Sequence, residues 1–154
     1  MYQHIMVTLD GSELAECVLP HVVAIGGGCS VSRITLIQVI PPFHLYAYAE
    51  DKLPPKWRNE LEADVTKRAE EYLNKKAAEL KEKGITAETK VLQGSAPEML
   101  VEFANKEGVD LIVLSTHGRS GVSRWVWGSV ADRLLRSACV PVLMVRAPGC
   151  YPGI

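Results

Sequence analysis

Asp110 to Ser129 reads DLIVLSTHGRSGVSRWVWGS. The run Leu111-Ile112-Val113-Leu114 is continuously apolar, as expected of a strand buried on both faces of a parallel sheet. At Ser115 the chain turns small and polar; Gly118 follows, nine residues separate it from Gly128, and Ser129 opens a helical pattern, SVADRLLRSA. A strand, a glycine loop and a helix start leave backbone N–H groups pointing at an anion. The reading is a phosphate cradle, in which Gly118 and Gly128 let the backbone close on a ligand where a Cβ would collide. No Gly-Lys-Ser or Gly-Lys-Thr occurs in the chain, so this is not a Walker A loop. The same spacing also fits a plain turn.

Working outward, the pattern of strand then helix repeats. HIMVTL (residues 4 to 9) is a short apolar run ended by Asp10-Gly11-Ser12. Ser12 caps a helix carrying Leu14, Val18, Leu19, Val22 and Val23, which Gly26-Gly27-Gly28 stops. Asp10 thus falls at the C-terminal end of the first strand, where open α/β sheets place ligands; ordering its own turn is the alternative role. SRITLIQVI (residues 32 to 40) predicts a second strand ending near Val39, closed by Pro41-Pro42. Residues 41 to 58, with four prolines and Phe43, Tyr46, Tyr48 and Trp57, read as an ordered insertion, either a lid or partner surface or aromatics packed over the sheet edge. From Asn59 to Lys83 a charged helix carries one apolar stripe, its charged faces solvated, and Gly84 ends it as a left-handed cap. TAETKVL is the third strand. Ser95-Ala96-Pro97-Glu98 then forms a capping box, with Pro97 in the first turn. VPVLMVR, after the last helix, closes the series.

Four strand-helix repeats and a closing strand predict one α/β domain, a parallel sheet covered on both faces. The last strand, Val140 to Val145, is apolar enough to need cover, and a homodimer supplies it most simply.

At 154 residues and 47% hydrophobic content, the chain has the material for a single core. A net charge of −1 gives no overall pull toward nucleic acid or an anionic membrane. No apolar run approaches the ~18 residues of a membrane span, and MYQHIMVTLDGSE lacks signal-peptide character, so a cytoplasmic protein is expected. Cys17, Cys29, Cys139 and Cys150 contain no C-x-x-C pair and suggest neither zinc nor a disulfide framework. Cys17 reads as a small core residue on a helix and Cys150 as an exposed tail thiol.

Together VTLDGSE, QVI, QGSAPEML, STHGRSG and WGSVADRLLRSACVPVLMVR resemble the universal stress protein family over nearly the whole chain. The resemblance implies a single three-layer Rossmann-like domain over residues 1 to 147 with a short tail at 148 to 154. It implies a five-stranded parallel sheet in the order 3-2-1-4-5 and a homodimer formed through the last strand. It also implies the ATP-binding branch, marked by Gly, two residues, Gly, nine residues, then Gly and Ser or Thr. Gly118, Gly128 and Ser129 match; the first position is Ser115. By the same resemblance Asp10 is similar to the carboxylate that contacts the ribose, and Thr8, Leu9 and Val39 lie where the family surrounds adenine. His117, Gly118, Arg119, Gly128, Ser129 and Val130 would line the triphosphate, with Mg²⁺ accompanying it.

On physical grounds Ser129 also fits a helix cap completed by Asp132, and His117 a turn-stabilising histidine. Arg119 and Arg124 suit phosphate oxygens or solvent, and Trp125 and Trp127 suit anchors of the loop. No catalytic set accompanies the cradle, because phosphoryl transfer needs metal ligands and a group orienting the nucleophile. The expected function is a nucleotide-dependent stress-response sensor or regulator with slow or no hydrolysis. The alternative is a dimeric partner-binding protein that holds no nucleotide.

Overall fold

Ile5, Met6 and Val7 are fully buried because β1 (His4–Thr8), the strand that carries them, lies in the middle of the sheet. The computed structural model describes residues 1–42, 54–116 and 129–146. The other elements are α1 (Glu13–Glu16), α2 (Leu19–Gly28), β2 (Arg33–Ile40), α3 (Pro55–Glu82), β3 (Glu88–Gln93), α4 (Ala96–Lys106), β4 (Leu111–Ser115), α5 (Ser129–Ser137) and β5 (Val142–Val145). All pairings are parallel and the order is β3-β2-β1-β4-β5, as the resemblance implies. Ile5 sits between Ile34 of β2 and Leu111 of β4.

Strand alternation divides the apolar residues between two cores. Ile5, Val7, Ile34, Leu36 and Val113 meet Ala15, Val18, Leu19 and Val22 of the first helical segment and Leu73 and Leu80 of α3. Met6, Ile37, Ile112 and Leu114 meet Leu100 and Ala104 of α4 and Ala131 and Leu134 of α5 on the other side. The sheet is therefore the middle of three layers. Each fully buried Leu or Ile contributes roughly 1.5–3 kcal/mol of transfer free energy.

The first helix is not continuous. Pro20 has no N–H to give the carbonyl of Glu16, and its ring would meet that carbonyl, so the helix stops after Glu16 and restarts at Leu19 with Pro20 in its first turn. Cys17 therefore sits in the break, half-buried, rather than within a helix. Gly26 to Gly28 do not precede the end; they form the last turn of α2. A Cβ on Gly26 would lie 3.0 Å from Ile85 Cδ1 and 3.3 Å from Ile34 Cδ1, so glycine permits the close approach of α2 to the sheet.

α3 begins at Pro55, four residues ahead of expectation, because proline suits the first turn. It ends in a Schellman arrangement at Gly84 (φ +81), with Ile85 N–H donating to Leu80 O (2.9 Å) and Gly84 N–H to Lys81 O (2.9 Å). The capping box at α4 does not form: Ser95 is the N-cap without a side-chain hydrogen bond, and Glu98 turns to Arg133 of α5 at 3.6 Å. Asp132 pairs with Arg136 (3.1 Å) one turn on. The remainder of the expected insertion, with Phe43, Tyr46 and Tyr48, lies outside the described residues, as does the tail from 147 onward.

Candidate functional site

β1 and β4 are neighbours whose connections leave for opposite faces, so their C-terminal ends bound the crevice of the doubly wound sheet. Asp10 stands there, half-buried, two residues beyond β1. Its Oδ1 accepts hydrogen bonds from Ser12 N–H (2.9 Å) and Ser12 Oγ (2.6 Å). Gly11 makes this turn with φ +83, a region that L residues with a Cβ seldom adopt. Ser12 in turn caps α1, its Oγ accepting from Ala15 N–H at 3.3 Å. Asp10 thus orders its turn through its own backbone neighbours, and the ordered turn holds its carboxylate at the crevice.

Thr8 ends β1 and is half-buried. Leu9 is almost completely buried among the α2 and α3 contacts, and its N–H donates to Ile37 O at 2.8 Å, so its side chain belongs to the core. Val39 and Val130 pack half-buried on the opposite core. Ser115 Oγ donates to Leu14 O (3.3 Å) and accepts from Cys17 Sγ (3.6 Å), fastening the end of β4 to α1. A glycine there would have no such group. Thr116 N–H continues the sheet, donating to Val145 O at 2.9 Å. Ser129 is the first residue of α5. His117, Gly118, Arg119, Arg124, Trp125, Trp127 and Gly128 lie outside the described residues.

Two features went unmarked in the sequence. Lys76, on a helix face expected to be solvated, is 8% exposed. Its Nζ donates to Glu16 Oε2 (2.8 Å) and Glu79 Oε2 (3.2 Å), while Tyr72 OH donates to Glu16 Oε1 (3.1 Å). Tyr72 and Lys76 are one turn apart and both reach Glu16, binding α3 to α1 directly behind the Asp10 turn. Burial and then the charge and hydrogen bond of Glu16 push the Tyr72 phenol well above its ordinary range, with further contributions from Asp10 and Glu79. Burial opposes the Lys76 charge, but the hydrogen bonds to Glu16 and Glu79 outweigh it and raise its pKa. Only a helical wheel aligned with the packed face of α3 would have separated Lys76 from its solvated neighbours.

The second feature is Gln38, a polar residue near the end of the apolar run of β2. Its Oε1 is buried and has no hydrogen-bond partner. Among the described residues no group of three or more His, Cys, Asp or Glu is placed to hold a metal, and no helix is long and apolar enough to cross a membrane.

The sheet order and its crevice define a Rossmann-like α/β domain. The chain belongs to the universal stress protein family, which it matches over residues 1–146. It is 31% identical over 151 residues to universal stress protein MJ0531 of Methanocaldococcus jannaschii, covering 96% of this chain and 84% of that one. The solved structure of MJ0577 from the same organism superposes with a TM-score of 0.82 at 28% identity, covering 97% of this chain and 99% of that one. A family protein of Arabidopsis thaliana, solved with AMP bound, superposes at 0.65 with 15% identity, covering 96% and 93%.

Proposed function

We propose that this chain is an ATP-binding universal stress protein, a cytoplasmic homodimer acting as a nucleotide-dependent stress-response sensor or regulator. The observation that carries the reading is the half-buried Asp10 carboxylate, held by the Gly11-Ser12 turn at the crevice between β1 and β4. A carboxylate fixed there suits two vicinal hydroxyls of a ribose, and the AMP-bound relative of the same fold supports an adenine nucleotide. Thr8 and Val39 stand at neighbouring strand ends for the base, and the backbone around Leu9 joins them. The triphosphate would extend toward the segment after β4, to His117, Gly118, Arg119, Gly128, Ser129 and Val130, and Mg²⁺ would enter with it, bound by phosphate and water oxygens.

Hydrolysis, in this reading, is slow or absent. Glu16 is committed to Lys76 and Asp10 is assigned to the sugar, which leaves neither to orient a nucleophile. The dimer would form through β5, the strand at the sheet edge.

Titration calorimetry with ATP and Mg²⁺ tests the reading, beside a Gly118→Val and Gly128→Val double variant whose folding is checked by circular dichroism. Micromolar binding, about −8 kcal/mol, that disappears in the double variant is the expected result. Turnover on the order of 1 per second or faster would refute a binding protein. A second reading, a dimer that binds a protein partner and no nucleotide, draws on Trp57 and Leu61 of α3, which are 63% and 41% exposed. Absence of binding to nucleotide-stripped protein would favour it.

A further inference from the structure

Gln38 is the one described side chain with a buried polar atom left unpaired. An amide oxygen taken from water without a donor costs about 1–3 kcal/mol, and folded proteins rarely leave such a group unsatisfied without a function for it. The position is informative. Gln38 follows Ile34 and Leu36 in strand alternation, so it projects from the face covered by α1 and α3, with Val39 projecting from the other. Its amide nitrogen lies 3.6 Å from the place a Cβ on Gly11 would occupy, beside the turn that carries Asp10.

In the sheet order β2 is two strands from β4, a separation of roughly 10 Å, with β1 between them. A phosphate oxygen would in any case repel an unpaired acceptor. We infer that Gln38 Oε1 accepts a hydrogen bond from a neutral N–H or O–H donor at the nucleoside end of the bound ligand, and so helps to choose which nucleotide binds. The inference rests on the adenine-nucleotide reading above. Two donors of an adenosine nucleotide have the required chemistry, the 6-amino group of the base and the 2′-hydroxyl of the ribose. Gln38 would then be a specificity residue whose amide oxygen the ligand satisfies in the complex.

The test compares ATP, inosine triphosphate and 2′-deoxy-ATP on the wild-type chain and on Gln38→Leu, by calorimetry. Inosine triphosphate lacks the 6-amino group and 2′-deoxy-ATP lacks the hydroxyl. In the wild type the analogue missing the partner of Gln38 is expected to bind about tenfold more weakly than ATP. In Gln38→Leu that discrimination collapses to within about twofold, and which ratio collapses names the donor. The thermal midpoint of the ligand-free variant should stay level or rise, because an unsatisfied acceptor has been removed. Gln38→Met keeps the unbranched shape and carries the same measurements if leucine prevents folding.

If ATP binds and both ratios are unchanged by the substitution, the inference is overturned while the nucleotide reading stands. A fall of several degrees in the ligand-free midpoint would assign Gln38 to the fold and overturn it as well. If the wild type binds no ATP, both fall.

Discussion

Asp10 serves the fold and the proposed ligand with one carboxylate. Its turn bonds need an acceptor at Oδ1 but not a negative charge. Asp10→Asn should therefore leave thermal stability within a few degrees of wild type while weakening ATP by roughly 10- to 100-fold, since a charge-assisted hydrogen bond contributes about 1.5–3 kcal/mol. An equal loss of stability and binding would mean that the charge matters to the turn alone. Gly94 is a different case, a residue required by geometry. Its φ is +143, and an added Cβ would lie 2.8 Å from both Cγ and Sδ of Met99. Gly94→Ala is expected to cost about 1–3 kcal/mol, read as a lower urea midpoint. Met99→Ala in the same chain should recover only part of it, because shortening Met99 leaves the backbone strain. The sequence marked Asp10 through its place after an apolar run. It did not mark Gln38, whose meaning depends on which turn folds over it, nor Ser115's bond to Leu14, which joins residues far apart in the chain.

Among the elements, the joint between α1 and α3 is the most sensitive to charge. Lys76 and Tyr72 both have folded-state pKa values above their unfolded ones. A raised pKa gives stability that is complete below the unfolded value, about 10 for tyrosine and 10.4 for lysine, and that is lost as pH climbs through the folded one. The protein should hold its urea midpoint from neutral pH to about pH 9.5 and lose it progressively above about pH 10. Lys76→Met should be less stable at neutral pH, since Glu16 then loses its cation, and should show a shallower alkaline decline. A decline as steep as that of the wild type would show that other groups set the alkaline limit. Periodicity located α3 and α5 well, because an apolar stripe on a helix is written every three or four residues. It could not foresee that Pro20 divides the first helix, or that Glu98 pairs with an arginine in place of a cap, since those outcomes depend on partners one turn or one helix away.

For the whole molecule, strand order was legible only through the family resemblance, and burial agrees with it: β1 and β4 are buried along their apolar residues, while β3 is largely half-buried or exposed at an edge. The other edge, β5, bears the proposed dimer. Pro141 O and Val145 O accept hydrogen bonds from β4, so by alternation the N–H groups of Val142 and Met144 point away from the sheet. Met144→Pro would remove one outward donor and leave the ladder to β4 intact. Light scattering should report a dimer for the wild type and a monomer for the variant; a wild-type monomer would refute pairing through β5. The register has a last consequence, for synthesis. Asp110 accepts from the backbone N–H groups of Gln3 and His4, 107 and 106 residues earlier, and Ile5 pairs with Leu111. While the ribosome works through the intervening chain, the buried central strand β1 has one flank filled by β2 and the other open. The nascent half-sheet is thus sticky for longer than the finished molecule ever is, and a holding chaperone would find its substrate in that interval, until β4 emerges.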